Sequence, residues 1–489
     1  MAKQMPHQNL LRTTTLASLL ALTGCAVGPN FHEPAAPATS GLIAEKLPTK
    51  VGDADQGSQS LAIDSAIPAQ WWTLFHSKAL NDLVEAALRN NPTIDAANAA
   101  VRQADELAAA QRGSYYPTVN ANYNPTRQKV AHPLASPAAS GAEYYTLHTA
   151  QLNIGFVPDV FGSNRRTVES LDAQAEMQRY QLEAAKLTLA SNVVVAAIQE
   201  ASLRAQINAT RDLIKAQQKI LDSFKRQLEL GQVAQTDVMG QETQLAQSEA
   251  TLPPLEKQLT QTRDLLISLA GKLPAEDLMQ QFTLDDLHLP ETLPVSLPSN
   301  LIEQRPDVRA ASAQLHSASA QVGIAVANRL PSFQISGSIG NSSLDLGDLF
   351  KPGGGFWNIA GNITQPIFDA GTLKHRQRAA EAAYDQAAAQ YRSTVITAFQ
   401  NVADSLHAIV SDAEAVRAYQ KAERTAKRSL DITQQQLALG NVGSLTVVNA
   451  EQAWLQTQLA LVGAQANRLS DSAALIQALG GGWWSDTGA

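Results

Sequence analysis

The 489-residue chain holds a single cysteine, Cys25, so no internal disulfide can form. Nine scattered histidines form no HExxH, and no second cysteine is present, so no spacing assembles a metal site. No nucleophile, base and carboxylate stand in a catalytic pattern. The sequence therefore reads as a non-enzyme without cofactor or metal. Positive charge is in short supply, with 37 Lys and Arg against 45 Asp and Glu and a formal charge of −8, a balance that repels nucleic acid. Beyond Gly24 there is no apolar run of 18 or more, so any membrane crossing has to be made with strands. Aromatics are only 5% of the chain, while Ala, Gln and Leu abound, a bias toward long helices. Glycine and proline are missing altogether from residues 163–230 and 372–439.

The N-terminus carries Lys3 and Arg12 ahead of the apolar run Leu16 to Leu22, the layout of a secretory signal that is too short to span a bilayer. Its end, Leu22-Thr23-Gly24-Cys25, resembles the bacterial lipobox. That resemblance implies removal of residues 1–24 and a diacylglycerol and N-acyl lipid on Cys25. Several acyl chains, at roughly 0.8 kcal/mol per buried methylene, make a stable anchor. Ala26, in place of Asp, follows the cysteine and implies passage to the Gram-negative outer membrane.

The remainder is written twice. Asn91-Pro-Thr-Ile-Asp-Ala-Ala answers Arg305-Pro-Asp-Val-Arg-Ala-Ala, and Pro117 answers Pro331, both 214 apart. Gly162, Gly231, Val238 and Gly271 answer Gly371, Gly440, Val447 and Gly480, all 209 apart. The change of offset falls in a loop expected over 125–143. The organisation expected is a signal peptide (1–24), a lipidated linker segment (25–76), a first repeat (77–271), an inter-repeat linker (272–298), a second repeat (299–480) and a tail (481–489).

Each Gly- and Pro-free stretch would be a rod of about 100 Å if continuously helical. Ile207, Ile214, Leu221 and Leu228 recur every seven residues, and Val416, Glu423, Leu430 and Leu437 match them in the second rod, a coiled-coil seam with Glu423 at its edge or facing water. Gly231 and Gly440 then turn each rod into a returning helix, with Ser163 and Thr372 as N-caps at the rods' start. Pro253-Pro254 is expected to break the first return helix, making the two hairpins unlike.

Ahead of each rod the period drops to two. Val119, Ala121 and Tyr123, then Leu152, Ile154 and Phe156, then Phe333, Ile335 and Ile339, then Trp357, Ile359 and Ile363 alternate with Asn, Gln, Ser, Thr and Gly. One oily and one uncharged polar face suits a membrane barrel, which four strands cannot close alone.

Together with the quoted stretches CAVGPNFHEP (25–34), QWWTLFHSKALNDLVEAAL (70–88), ANRLPSF (327–333) and ALGGGWW (478–484), the chain resembles the outer-membrane factors of tripartite efflux pumps, the TolC/OprM-like channels, and within them the NodT-type lipoprotein branch. The resemblance implies a mainly α fold with membrane β, in which duplicated halves build a trimeric 12-stranded outer-membrane β-barrel continued by an α-helical periplasmic barrel. It implies a passive homotrimeric duct in outer-membrane lipid, exporting small toxic compounds with a periplasmic adaptor and an inner-membrane RND transporter. Its aperture would involve Leu445, Asn449 and Gln452, where relatives carry a leucine, a carboxylate and a base; Glu451 is the nearest carboxylate here. Its adaptor-contact turns would be Gly231, Asp237, Val238, Gly440 and Val447. A type I secretion duct and a non-conducting lipid-anchored coiled-coil spacer are the alternatives, the second having no use for paired strands.

Overall fold

The computed structural model describes residues 26–35, 41–43, 48–52, 57–63, 65–131, 143–295 and 298–488. Residues 1–24, expected to be a signal peptide, and Cys25 lie outside the described residues, as does most of the loop between the first two long strands. In chain order the elements are β1 (Lys50–Val51), β2 (Gln59–Ile63), α1 (Lys78–Asn90), α2 (Pro92–Arg112), β3 (Thr118–Lys129), β4 (Tyr144–Phe156), α3 (Ser163–Glu229), α4 (Gln235–Leu269) and β5 (Thr292–Val295). They continue with α5 (Pro298–Gln304), α6 (Pro306–Ala327), β6 (Ser332–Ser343), β7 (Gly355–Thr364), α7 (Thr372–Ala438) and α8 (Ser444–Ala478). The repeat survives in detail. Rods α3 and α7 are 67 residues each and return helices α4 and α8 are 35 each, with starts and ends 209 apart.

Contacts divide the chain into two units, the first made of Met1–Pro34, Val101–Gln178 and Ala311–Tyr391. Its sheet has the order β3-β4-β6-β7, antiparallel throughout. The strands outrun the expected loop. Pro125 sits inside β3 opposite His148, on an edge strand of the sheet, where proline is tolerated. The rods begin under acidic control. The Asp159 carboxylate accepts from the backbone N–H of Asn164 and Arg165 at 2.9 and 2.8 Å, and Asp369 accepts from Gly371 and Leu373 at 2.8 Å each. Ser163 and Thr372 are thus the first helical residues, and the caps are aspartates placed three or four positions upstream, whose second oxygen serves a second orphan donor.

The second unit comprises Ala35–Ala100, Arg179–Ala310 and Arg392–Ala489. Both segments expected to be linkers contribute strands to it. β1 pairs antiparallel with β2, and β2 pairs parallel with β5, Ser60 opposite Thr292 through Ile63 opposite Val295. Trp71, Phe75, Leu80, Leu83, Leu266, Phe282, Leu293, Leu301 and Ile476 are among the unit's most buried apolar side chains. The seven-residue seam packs as coiled coils do: Leu221 and Phe224 of α3 cluster with Val238 and Leu245 of α4, flanked by Ile214 and Leu228. Glu423 is neither interruption nor free surface, since it accepts from Trp454 Nε1 at 2.7 Å while Lys427 lies over the Trp454 ring.

The double proline does not break α4. The helix runs unbroken from Gln235 to Leu269. Pro253 and Pro254 are exposed, as are Glu249 and Ala250 one turn earlier, so the carbonyls they deprive of partners face water. Interior prolines cost ~3 kcal/mol each or more, and the buried Val238, Leu245, Leu266 and Ile267 on either side hold the two half-helices in line against that cost. α3 is the one described helix long and apolar enough to cross a bilayer; 44% of its most apolar window is buried inside the chain.

Candidate channel wall and periplasmic tip

The register of the four-stranded sheet lines up residues of one polarity across all strands. One row reads Val119, Ile154, Gly337, Ile359 and the next Ala121, Leu152, Ile339, Trp357. The intervening row on the opposite face reads Asn120, Asn153, Ser338, Asn358. A soluble sheet would bury the oily rows. Here Val119 is 62% exposed, Trp357 73% and Ile359 76%. Strands of 10 to 13 residues match the ~9–11 needed to cross hydrocarbon. β3 and β7 are the sheet's two edges, each with one side that pairs with no strand among the described residues.

Ala26, the first described residue, packs against the turn between β4 and α3. Gly162, at φ 80°, lets the chain pass so close that a Cβ there would come within 2.8 Å of Ala26 Cα. Val27 N–H donates to Phe161 O, and the buried Arg166 donates to Val27 O, Gly28 O, Asn30 Oδ1 and Glu169 Oε2. Residues just after Cys25 are thereby fixed to the turn between β4 and α3.

At the far end of the rods, Gln232 N–H donates to Gln227 O and Gly231 N–H to Leu228 O; Asn441 and Gly440 repeat the pair onto Gln436 and Leu437. This double bond pattern ends a helix through a left-handed residue, and φ values of 68° and 74° at Gly231 and Gly440 satisfy it. Gly231, Gly440 and Asp237 are exposed, with the Asp237 carboxylate accepting from Ala234 N–H at 3.0 Å. Val238 and Val447 are not contact surface. At 6% and 4% exposure they point into their own hairpins, where they shape the turns.

On the first turns of α8 the spacing of four and then three residues puts Leu445, Asn449 and Gln452 on one face. Leu445 is 64% exposed, Asn449 exposed and Gln452 half-buried. Glu451 does not join them. It is buried against α7, near Gln434, with Oε2 unpartnered, and burial pushes its carboxyl up, opposed by the Gln434 hydrogen bond and the Lys427 charge.

Two ionic clusters, each with a buried member, escaped the sequence reading. In the first hairpin Arg263 donates to Glu200, Asp277 and the carbonyls of Leu278 and Gln280, tying the segment after α4 to α3. In the second, Arg468 donates to Gln59 Oε1 and to the Val51 and Gly57 carbonyls, tying β1 and β2 to α8. Beside it Asp412 shares a hydrogen bond with Asp471. Burial first, then that bond and the Asp471 charge, push the Asp412 carboxyl up to about 7 against the opposing charge of Arg468. The repeat itself is the signal that marks these residues: the positions of Asp412, Arg468 and Asp471 are Leu203, Leu259 and Thr262 in the first copy.

The sequence matches the family described as outer membrane efflux protein over residues 83–272 and 297–481. The chain is 27% identical over 483 residues to the probable efflux pump outer membrane protein TtgC of Pseudomonas putida, covering 98% of this chain and 97% of the relative. It is 29% identical over 427 residues to the pyoverdine export outer membrane protein OpmQ of Pseudomonas aeruginosa, covering 86% and 89%. The open state of the Neisseria gonorrhoeae MtrE outer membrane channel superposes with a TM-score of 0.82 at 27% identity, covering 94% of this chain and 99% of that one. A sheet with an outward oily face, long hairpins repeated at one constant offset and a family match across both repeats lead to one assignment: the chain belongs to the outer membrane efflux protein family.

Proposed function

We propose that three copies of the chain pool their sheets into one 12-stranded barrel and form a passive duct through the outer membrane and into the periplasm. The observation that carries this is the exposed oily face of a sheet with two open edges. Unpaired backbone groups in hydrocarbon cost several kcal/mol each, so the edges must meet other copies. Two copies would give eight strands, a bore filled by its own side chains, whereas three leave a lumen lined by the Asn, Gln and Ser rows. The cargo we infer is small toxic compounds, in keeping with relatives named for toluene efflux and pyoverdine export. A periplasmic adaptor and an RND transporter of the inner membrane supply recognition and energy, the adaptor meeting the exposed turns at Gly231 and Gly440. Leu445 forms an apolar constriction at the tip, with Asn449 and Gln452 as uncharged neighbours. Diacylglycerol and N-acyl chains on Cys25 add a second anchor at the foot of the barrel.

Planar-bilayer conductance tests this reading. The native protein is expected to pass a small current and Leu445→Ala a larger one. Silence from an inserted oligomer of either contradicts the duct, and equal currents contradict the constriction.

A further inference from the structure

The four strands of the membrane sheet carry no carboxylate, and their two permanent charges are both positive and both on β3. Those two are Arg127 and Lys129. Side chains alternate along a strand, so both belong to the oily row of Val119, Ala121 and Tyr123, and they close it at the end of β3 farthest from α2 and the rods. The first repeat alone has them. β6 matches β3 end for end at the offset of 214 and sets Asn341 and Ser343 at their places, so the sheet does not need cations there to fold.

Height explains why they are tolerated on a lipid-facing row. At ~3.4 Å per residue and a tilt of ~40°, Arg127 stands about 21 Å and Lys129 about 26 Å above Val119, and the apolar band of such a barrel is about 25 Å tall. A charge on the lipid face is costly at mid-bilayer and cheap at the interface. With the rods in the periplasm, both cations reach the headgroups of the outer leaflet.

Their neighbours make the place a patch of donors. On the same face of β4, Thr146 stands opposite Arg127, Tyr144 opposite Lys129 and His148 opposite Pro125. Tyr123 Oη and His148 Nδ1 share a hydrogen bond at 2.8 Å with their rings stacked, and Lys129 Nζ lies 5.1 Å from the centre of the Tyr144 ring. Glu143 stands 3.7 Å from Lys129 Nζ, beyond a good hydrogen bond, and leaves the Lys129 side chain 56% exposed. Arg127 is exposed and has no ion-pair or hydrogen-bond partner among the described residues. A guanidinium at a lipid surface without an acceptor of its own takes one from the membrane, and its planar fork fits a phosphate. At that level of a Gram-negative outer membrane, the anions are phosphates carried on an acylated sugar.

We propose that Arg127 and Lys129 bind a phosphate of an outer-leaflet glycolipid, Arg127 by a two-pronged contact and Lys129 as a point charge, with the hydroxyls of Tyr144 and Thr146 serving the sugar. The site rests on the reading of this sheet as a membrane wall. Because β3 is an edge of the sheet, the lipid held there lies beside the junction between copies.

Native mass spectrometry of the full chain, released from phosphatidylethanolamine nanodiscs doped with lipid A and with magnesium chelated, tests the site. The native protein is expected to retain bisphosphorylated lipid A about tenfold better than dephosphorylated lipid A, as a charge-assisted contact requires. Arg127→Gln/Lys129→Gln should lose that preference. Lys374→Gln/Arg378→Gln, which removes the same charge from the exposed start of α7, should keep it. Glu143→Gln releases Lys129 from a surface ion pair and should raise retention by about twofold, a gain that no misfolded variant would show. Equal retention of the two lipids, a preference that survives Arg127→Gln/Lys129→Gln, or displacement of the lipid by millimolar inorganic phosphate overturns the site and leaves the duct standing. A single copy in the same nanodiscs removes the membrane-wall reading itself.

Discussion

Asp412 and Asp471 face each other across α7 and α8 with Arg468 alongside, and one proton between them is worth more in the fold than in water. The folded Asp412 carboxyl stands at about 7, above its ordinary 3.8, so the folded chain holds a proton that the unfolded chain gives up. Its contribution is present at pH values below the unfolded pKa and is lost as pH rises through about 7. Thermal unfolding of Asp412→Asn is therefore expected to show a flatter pH dependence between pH 4 and 7 than the native protein, and a higher midpoint than native at pH 8; parallel curves would contradict the shared proton. Arg166 makes a second residue-scale case. Arg166→Ala should expose the Ala26–Asn30 segment to protease while leaving the fold's far end unchanged, since four of its bonds end on that segment or on Glu169. Neither arginine announced itself in the sequence. Arg468 stands in a polar, Ala-rich stretch that reads as a wet helix face, and its buried partners come from 409 and more residues away.

Among elements, the rods and long strands were legible because each carries a long, single-period signal. Sixty-eight residues without Gly or Pro, and runs of two-residue alternation, leave one secondary structure each. β1, β2 and β5 were not legible, being two, five and four residues long and held in place by pairing between distant segments. The caps were misplaced for a physical reason: Asp159 and Asp369 reach forward over a tight turn, so the capping residue is not adjacent to the helix. Asp369→Ala should lower the stability of the chain to unfolding, measured by thermal or denaturant unfolding, because two backbone donors lose their acceptor. Its carboxyl is held below the usual range first by the Leu373 N–H and then by Gly371 N–H, so that contribution is present above the ordinary carboxylate pKa and lost as acid protonates it. The prolines in α4 support a further expectation. Pro253→Ala/Pro254→Ala should raise amide-exchange protection in the turn that follows Glu249 and raise the melting temperature, because two hydrogen bonds return to a helix that is already continuous.

At the scale of the molecule, duplication is the organising fact. Two copies of one plan, at constant offsets, give two paired strands and one long helical hairpin each, and a sheet that ends in two edges. The family and the membrane sheet could be read from the sequence through that plan. The tip could be read only in part, because Leu445 and Asn449 are exposed as their spacing suggests while the nearest acid, Glu451, turns into the hairpin, a burial that spacing alone does not reveal. A chain whose sheet is oily outside, polar inside and unclosed cannot rest in lipid alone. Native mass spectrometry of the protein released from lipid nanodiscs puts this most directly: the account predicts three copies holding together, and a single copy whose Val119, Leu152, Ile335 and Ile359 are shielded from lipid-borne probes would contradict it.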